Sequence, residues 1–337
     1  MREIVLIVVG TAAVALLNFH VVRTTIGMAL PGPVLKSLSK IVSAFLLRSG
    51  RKFSAEDRFR VATGPFILVS TIALWWLALI LAYFTVFLGS PDSIVEAKSG
   101  TQATIPEKLY FVIYTFSTLG LGDFAPDSDG WRILAAISSL NGLFIISLSV
   151  TYLIPVVSAV VQKRSLATTV NGLGRSPAEI VESLWDGHSF AGAEIVLVEL
   201  SRQMESHTQR HMAYPVVHHF HSFDRSAALA PAMLNLSVAV DSIQRTVPPD
   251  IAPAPYSMKL IDQSFDNFAA MIASTFTTEP ELGPEDMCEA MLDLSSLGIP
   301  QRQNQTEKSS KNRERDQLFR LFAAQAGWNR SSEGTAS

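Results

Sequence analysis

The chain has 337 residues, a formal net charge of −3 and a hydrophobic fraction of 48%. So small a charge excludes the strongly basic surface that nucleic acid would need. The single cysteine, Cys288, excludes an internal disulfide and a cysteine-built zinc site, and is expected to be a buried, inert thiol.

The long apolar runs fall within residues 1–161, and residues 162–337 have the composition of an ordinary soluble chain. A bilayer-spanning helix needs about 20 apolar residues. The first such stretch is Ile4 to Val22, interrupted only by Thr11, Asn18 and His20. A signal peptide is the alternative, but the n-region is only Met1-Arg2-Glu3, the apolar run is long for an h-region and no small-x-small cleavage site follows; a retained N-terminal helix over residues 1–24 is expected. A basic segment, 25–65, comes next, in which Pro33 to Leu47 is mildly amphipathic and suited to a membrane interface. The second span is Phe66 to Gly89, uncharged, with Trp75, Trp76 and Tyr83; the third runs from Ile133 to Val161 and is long enough to project beyond the bilayer.

Loop charge sets the orientation. Residues 23–65 hold eight Lys/Arg against Glu56 and Asp57, whereas residues 90–130 hold Lys98 and Lys108 against six acids. The excess of basic residues predicts 23–65 on the cytoplasmic side and 90–130 outside. Lys163-Arg164 then stops the third span on the inside. The expected topology has an external N-terminus and a cytoplasmic C-terminal region. No helix carries Arg or Lys at every third residue, so a voltage sensor is not expected.

Between the second and third spans, Pro106-Glu107 opens a helix, with proline in its first turn and an acid at the positive end of its dipole. Leu109 to Phe116 continues it. This run is apolar but too short to cross, as a re-entrant half-helix would be. Ser117-Thr118-Leu119-Gly120-Leu121-Gly122-Asp123 follows. Non-helical backbone at membrane depth survives only if buried in protein or lining water. Alternating glycines permit backbone angles at which successive carbonyls point one way, and such carbonyl rings replace the hydration shell of a cation.

Thr118-Leu119-Gly120-Leu121-Gly122-Asp123 resembles the Thr-Val-Gly-Tyr-Gly-Asp signature of potassium channels. The order of outer helix, pore helix, filter and inner helix over residues 66–161 is similar to the bacterial two-helix pore module, here with an added N-terminal helix. The resemblance implies that Thr118 supplies a carbonyl and a hydroxyl to the innermost ion site, and that Leu119, Gly120 and Leu121 supply the carbonyls above it. It implies that Gly122 closes the outer mouth and that Asp123 anchors the filter from behind. Gly142 lies where the family has a gating-hinge glycine, although it also suits close helix packing, and Pro155 suits a kink in the same helix. Ser138, Asn141, Ile145 and Ser149 are candidates for the pore-lining face. Two residues depart from the family pattern. Leu121 replaces an aromatic that braces the filter, and is expected to pack on Tyr110, Tyr114 or Phe116; Leu119 replaces a valine or isoleucine. Tyr114 stands where an acid often supports the filter. One pore loop per chain cannot enclose an ion, so a homotetramer is implied.

Residues 165–328 are expected to form a small helical domain. Asn171-Gly172-Leu173-Gly174 is expected to be a turn, and Ser176-Pro177-Ala178-Glu179 a capping box. Helices follow near 189–211, with Ile195, Val196, Val198 and Leu200 toward a core, and near 225–246. Pro248 to Pro255 is expected to be a linker. A stripe of Leu260, Ile261, Phe265, Phe268, Ile272 and Phe276, then helices near 284–296 and 312–327, complete the set, with a disordered tail over 329–337. Asn171-Gly172-Leu173-Gly174 lacks the third glycine and the preceding strand of a nucleotide-binding turn. His207 and His211 share a helix face, and His218, His219 and His221 follow. They fit a metal site, a pH sensor or plain helix packing, and these alternatives stay open.

The expected whole is an all-α membrane protein of the plasma membrane. It would be a passive potassium-selective channel with K+ as the permeant ion, no cofactor and no enzymatic activity. Its expected partners are itself, membrane lipid and an unknown cytosolic gating ligand. The rivals are a non-selective or sodium-permeable channel and a membrane-anchored scaffold with a vestigial pore.

Overall fold

A computed structural model describes residues 1–26, 42, 56–275, 292, 294–302 and 308–328. Cys288, Phe276, the tail 329–337, most of 25–65 including nearly all of the amphipathic stretch, and most of the expected helix at 284–296 lie outside the described residues. The chain divides into two compact units: 1–42 with 65–156, and 43–64 with 157–337.

The first unit holds α1 (Arg2–Thr25), most of α2 (Glu56–Phe87) and the first part of α4 (Asp129–Leu173), with the short α3 (Ile105–Phe116) between the last two. α1, α2 and α4 are each long and apolar enough to cross a membrane. The 45 residues of α4 extend for about 68 Å, more than twice a hydrocarbon core of about 30 Å. α1 docks on α2 at Gly10, where a Cβ would come within 2.6 Å of the Val86 side chain and 3.0 Å of the Ala82 carbonyl. It docks on α4 through two amides. Asn141 Nδ2 donates to Asn18 Oδ1 at 2.6 Å, and Asn18 Nδ2 donates to Asn141 Oδ1 at 3.3 Å.

α3 starts where expected, because Glu107 accepts hydrogen bonds from the Thr104 N–H at 2.7 Å and the Thr104 hydroxyl at 2.8 Å. Two short strands, β1 (Val95–Glu96) and β2 (Phe124–Ala125), pair antiparallel, with Val95 opposite Ala125 and Glu96 opposite Phe124. They tie the α2–α3 connection to the backbone just past Asp123. Lys108 is 4% exposed. Its ammonium donates to the carbonyls of Phe87 (3.3 Å), Pro91 (3.0 Å) and Ser90 and to Ser93 Oγ (2.9 Å). The last turn of α2 has no basic residue, so Lys108 supplies the positive charge that its dipole and free carbonyls call for. Lys108→Met keeps the stem and removes the donors. It is expected to cost about 2–4 kcal/mol, measured as a lower thermal midpoint in detergent; an unchanged midpoint would show that those carbonyls find other donors.

The second unit is helical throughout its described core: the end of α4, then α5 (Pro177–Leu184), α6 (Ala193–Ala213), α7 (Leu229–Thr246), α8 (Pro255–Thr275) and α9 (Ser310–Gln325). α7 is buried on most of its surface, and α5 and α9 pack on it, while α6 packs on α8. Phe265, Phe268, Phe319 and Phe322 interlock with ring centroids 5.7–6.0 Å apart. Charged groups fasten α9. Lys308 pairs with Asp316 at 2.6 Å and Asp241 at 3.7 Å, and Arg245 pairs with Asp241 at 3.2 Å.

Several sequence expectations change here. Asn171 to Leu173 is the last part of α4 and not a turn, because Asn171 Nδ2 satisfies the Ala167 carbonyl (2.9 Å) and the Ser226 carbonyl (3.0 Å). Glu179 accepts from the Arg175 N–H and the Ser176 hydroxyl, so the capping box closes one residue early. Ile195 is 81% exposed and Leu260 46% exposed, while Leu197, Leu200 and Ile261 are buried; the apolar faces of α6 and α8 are narrower than the letters suggest. Pro248 to Pro255 is pinned and is no free linker. Phe190 N–H donates to the Ile251 carbonyl at 2.8 Å, and Ala254 N–H to Glu194 at 3.1 Å.

Candidate functional site

The segment after α3 has an unusual backbone. Thr118, Gly120 and Gly122 have φ of 60°, 60° and 80°, and among the described residues Thr118 is the one non-glycine with positive φ. Leu119 and Leu121 lie between them with ordinary angles. Glycine takes the left-handed region freely, but a β-branched residue is held there only when its surroundings impose it, at about 1–3 kcal/mol. The surroundings here are the end of α3, whose last carbonyls receive the segment's N–H groups. Ser117 donates to Ile113 (3.0 Å), Thr118 to Thr115 (3.0 Å) and Leu119 to Tyr114 (2.8 Å). Alternating hand, residue by residue, is the backbone condition for carbonyls in one row.

Behind the segment, Tyr114 is buried and its hydroxyl donates to the Phe124 carbonyl at 2.8 Å. Its ring meets Tyr110 at 5.1 Å and Phe111 at 5.3 Å. The Asp123 carbonyl accepts from Ala97 N–H at 2.9 Å, and its carboxylate approaches the hydroxyls of Tyr110 and Tyr114. Tyr110 packs on Tyr114 and Phe124, and Phe116 on Trp76 and Tyr83. Leu121 is 52% exposed on the single chain, and Thr118 to Asp123 are all exposed.

α4 passes behind the end of α3. A Cβ at Gly142 would overlap the Phe116 carbonyl oxygen. Gly142 therefore seats the two helices against each other, inside one continuous helix that also contains Pro155. Pro155 has no N–H to give the Thr151 carbonyl, which leaves a weak point in the ladder. Ser138, Asn141, Ile145 and Ser149 do not form an open face. Ser138 and Ile145 are fully buried, Ser149 donates to the Ile145 carbonyl at 2.7 Å, and Asn141 is paired with Asn18. Asn141 and Ser149 thus satisfy their polar groups within the unit, whereas the Ser138 hydroxyl is buried without a hydrogen-bond partner among the described residues. The open face carries Leu140, Leu143, Phe144 and Ile154.

Residues 67–159 match the family described as Ion channel. The chain is also 32% identical to the uncharacterized membrane protein YdjJ of Bacillus subtilis (strain 168), over 86% of this chain and 85% of that one. The chain belongs to the ion-channel family, with a potassium-channel-type pore module. No solved structure matches it.

The matched region of the channel takes in α2 from Ile67, α3, the Thr118–Asp123 segment and α4 to Ala159. α1 and the second unit lie outside it. In the second unit, His207 and His211 are brought together with ring centroids 5.6 Å apart, and His218 stands 5.7 Å from His211. Among the described residues no three His, Cys, Asp or Glu are placed to hold a metal ion. Sequence reasoning passed over Lys108, counted only as loop charge, and Asn18, noted only as a break in an apolar run. A lone polar residue inside a span was the available signal, since such residues persist where they find a partner.

Proposed function

We propose that the chain is one subunit of a homotetrameric channel that conducts K+ passively across the plasma membrane, with Thr118, Leu119, Gly120, Leu121 and Gly122 as its filter and the second unit in the cytoplasm. The observation that carries this reading is the alternation of left-handed angles at Thr118, Gly120 and Gly122 on an uncovered strip of a pore module. Four copies around one axis would cover that strip and give each ion a ring of carbonyls in place of water. Asp123 and Tyr114 hold the strip from behind, and Gly142 and Pro155 are where the inner helix would yield. The charge difference between residues 23–65 and 90–130 supports the orientation. Ion passage down a gradient needs neither cofactor nor catalytic group.

The expected result for purified protein in liposomes is a reversal potential close to the potassium equilibrium potential under opposed potassium and sodium gradients. Leu121, which has no ring hydroxyl and is half exposed, favours the second reading, a sodium-permeable pore; a reversal potential near zero would establish that one. No flux of any cation would leave the scaffold reading.

A further inference from the structure

Five histidines gather beside Lys163 in the second unit. His207 and His211 lie one turn apart on α6, and His218, His219 and His221 follow on the segment after it. Neighbouring ring centroids are 5.6 Å (His207–His211), 5.7 Å (His211–His218) and 5.5 Å (His218–His219) apart. His207 is 0% and His211 2% exposed, and all four ring nitrogens of these two lack a hydrogen-bond partner among the described residues. A neutral imidazole has one donor and one acceptor to satisfy, so this arrangement holds unmet polar groups in place by packing alone.

Each element packed on the cluster adds a neighbour. α4 contributes Lys163, whose ammonium donates to the Val217 carbonyl at 3.3 Å and the Phe220 carbonyl at 2.9 Å. α6 contributes Arg210, and α2 contributes Arg60, which acts on His221. α8 contributes Phe268, 6.0 Å from His207; α9 contributes Phe322, 6.0 Å from His218, and Gln325, which hydrogen-bonds His218. Every charge acting on the rings is positive. Burial first, and then these cations, lower His207 and His221 to about 3 and His219 to about 4, and lower His211 and His218 well below the ordinary value.

We propose that this cluster is a proton-operated latch: with the rings uncharged, Lys163 holds Pro215–His221 against the end of α4, and acid releases that segment. The latch stands on the second unit alone; only its last step, transmission along α4 to the pore, rests on the channel reading.

The rings' values in the latched state lie below the ordinary value of about 6.5, so the released state binds more protons. The latch is complete above that pH and is lost as pH falls toward the lowered values. Below about pH 6.5 each ring favours release by a factor approaching ten per unit, and two rings together approach a hundredfold.

The test uses the full-length protein in liposomes. Amide hydrogen exchange of residues 215–221, corrected for intrinsic pH dependence, is compared at about pH 7.5 and about pH 5.5, with α7 as the reference for intact folding. The expected result is protection at the higher pH and its loss at the lower, α7 staying protected. His207→Phe/His211→Phe, which keeps ring bulk and removes the two buried rings whose nitrogens lack partners among the described residues, is expected to keep more protection than the wild type at the lower pH. Protection of the wild type at the lower pH, or equal loss in the variant, overturns the latch; if the variant does not assemble, the wild-type comparison decides. In the same liposomes, acid on the side of the second unit is expected to change wild-type flux more than variant flux. Release without a change in flux overturns the transmission step. If the wild type passes no cation at any pH, the channel reading fails while the exchange result still decides the latch.

Discussion

Gly120→Asp is expected to bring cation flux to the level of empty liposomes while the protein still assembles. Gly120 has φ of +60° and open space around the position of a Cβ on the single chain. The substitution therefore meets no steric wall within its own subunit, and aspartate tolerates the left-handed region better than most residues. Its backbone cost is about 1 kcal/mol per chain, too small to prevent folding. The new carboxylate, by contrast, would sit in the row of carbonyls, once for each copy around the axis. A cation entering such a ring is held too tightly to leave, and conduction needs binding weak enough for exit. The measurement is cation flux beside size-exclusion elution. Flux at the wild-type level would place the conduction path elsewhere and remove Thr118–Gly122 as the filter.

Asp241→Ala is expected to lower the stability of the second unit by about 3–5 kcal/mol, a fall in its thermal midpoint on the order of 10 °C. The Asp241 side chain is 4% exposed, and its partners Arg245 and Lys308 are 14% and 9% exposed. Removing the carboxylate strips Arg245 of this ion pair and takes an acceptor from Asn312, which donates to Asp241 at 2.8 Å. Lys308 keeps Asp316, so the loss falls mostly on α7 and on the start of α9. Asp241→Asn retains much of the hydrogen bonding and is expected to lose less. A shift under about 1 kcal/mol for Asp241→Ala would show that water replaces the carboxylate at little cost.

Much of this architecture is written in local pattern. Uncharged apolar runs of sufficient length identify α1, α2 and α4, and Pro106-Glu107 marks the start of α3. The spacing of Gly120 and Gly122 points to the alternation that the backbone shows. Pairing over long sequence distances is what the letters conceal. Nothing near Asn141 says that its partner is Asn18, 123 residues away. The resemblance makes Ser138 and Ser149 candidates for a pore-lining face, but both are buried in the unit, and Ser149 bonds its own helix at the Ile145 carbonyl. Lys108 counts as one more loop charge until the end of α2 is seen to lack a basic residue. The departures at Ile195 and Leu260 have one cause: α6 and α8 pack chiefly on each other and on a core of phenylalanines, so a narrow stripe suffices and the flanking apolar residues are left outside.

The amide pair between Asn18 and Asn141 bears on how such a protein can be divided. Asn141 lies within the matched pore module and Asn18 outside it. A fragment beginning at α2 would carry every recognised pore element, and it would also carry an orphaned carboxamide into hydrocarbon, one residue from the glycine that seats the inner helix on Phe116. The N-terminal helix thus acts as a packing partner of the helices that the matched module contains, meeting α4 at Asn141 and α2 at Val86. A fragment that keeps α1 is expected to be more stable in detergent than one that begins at α2.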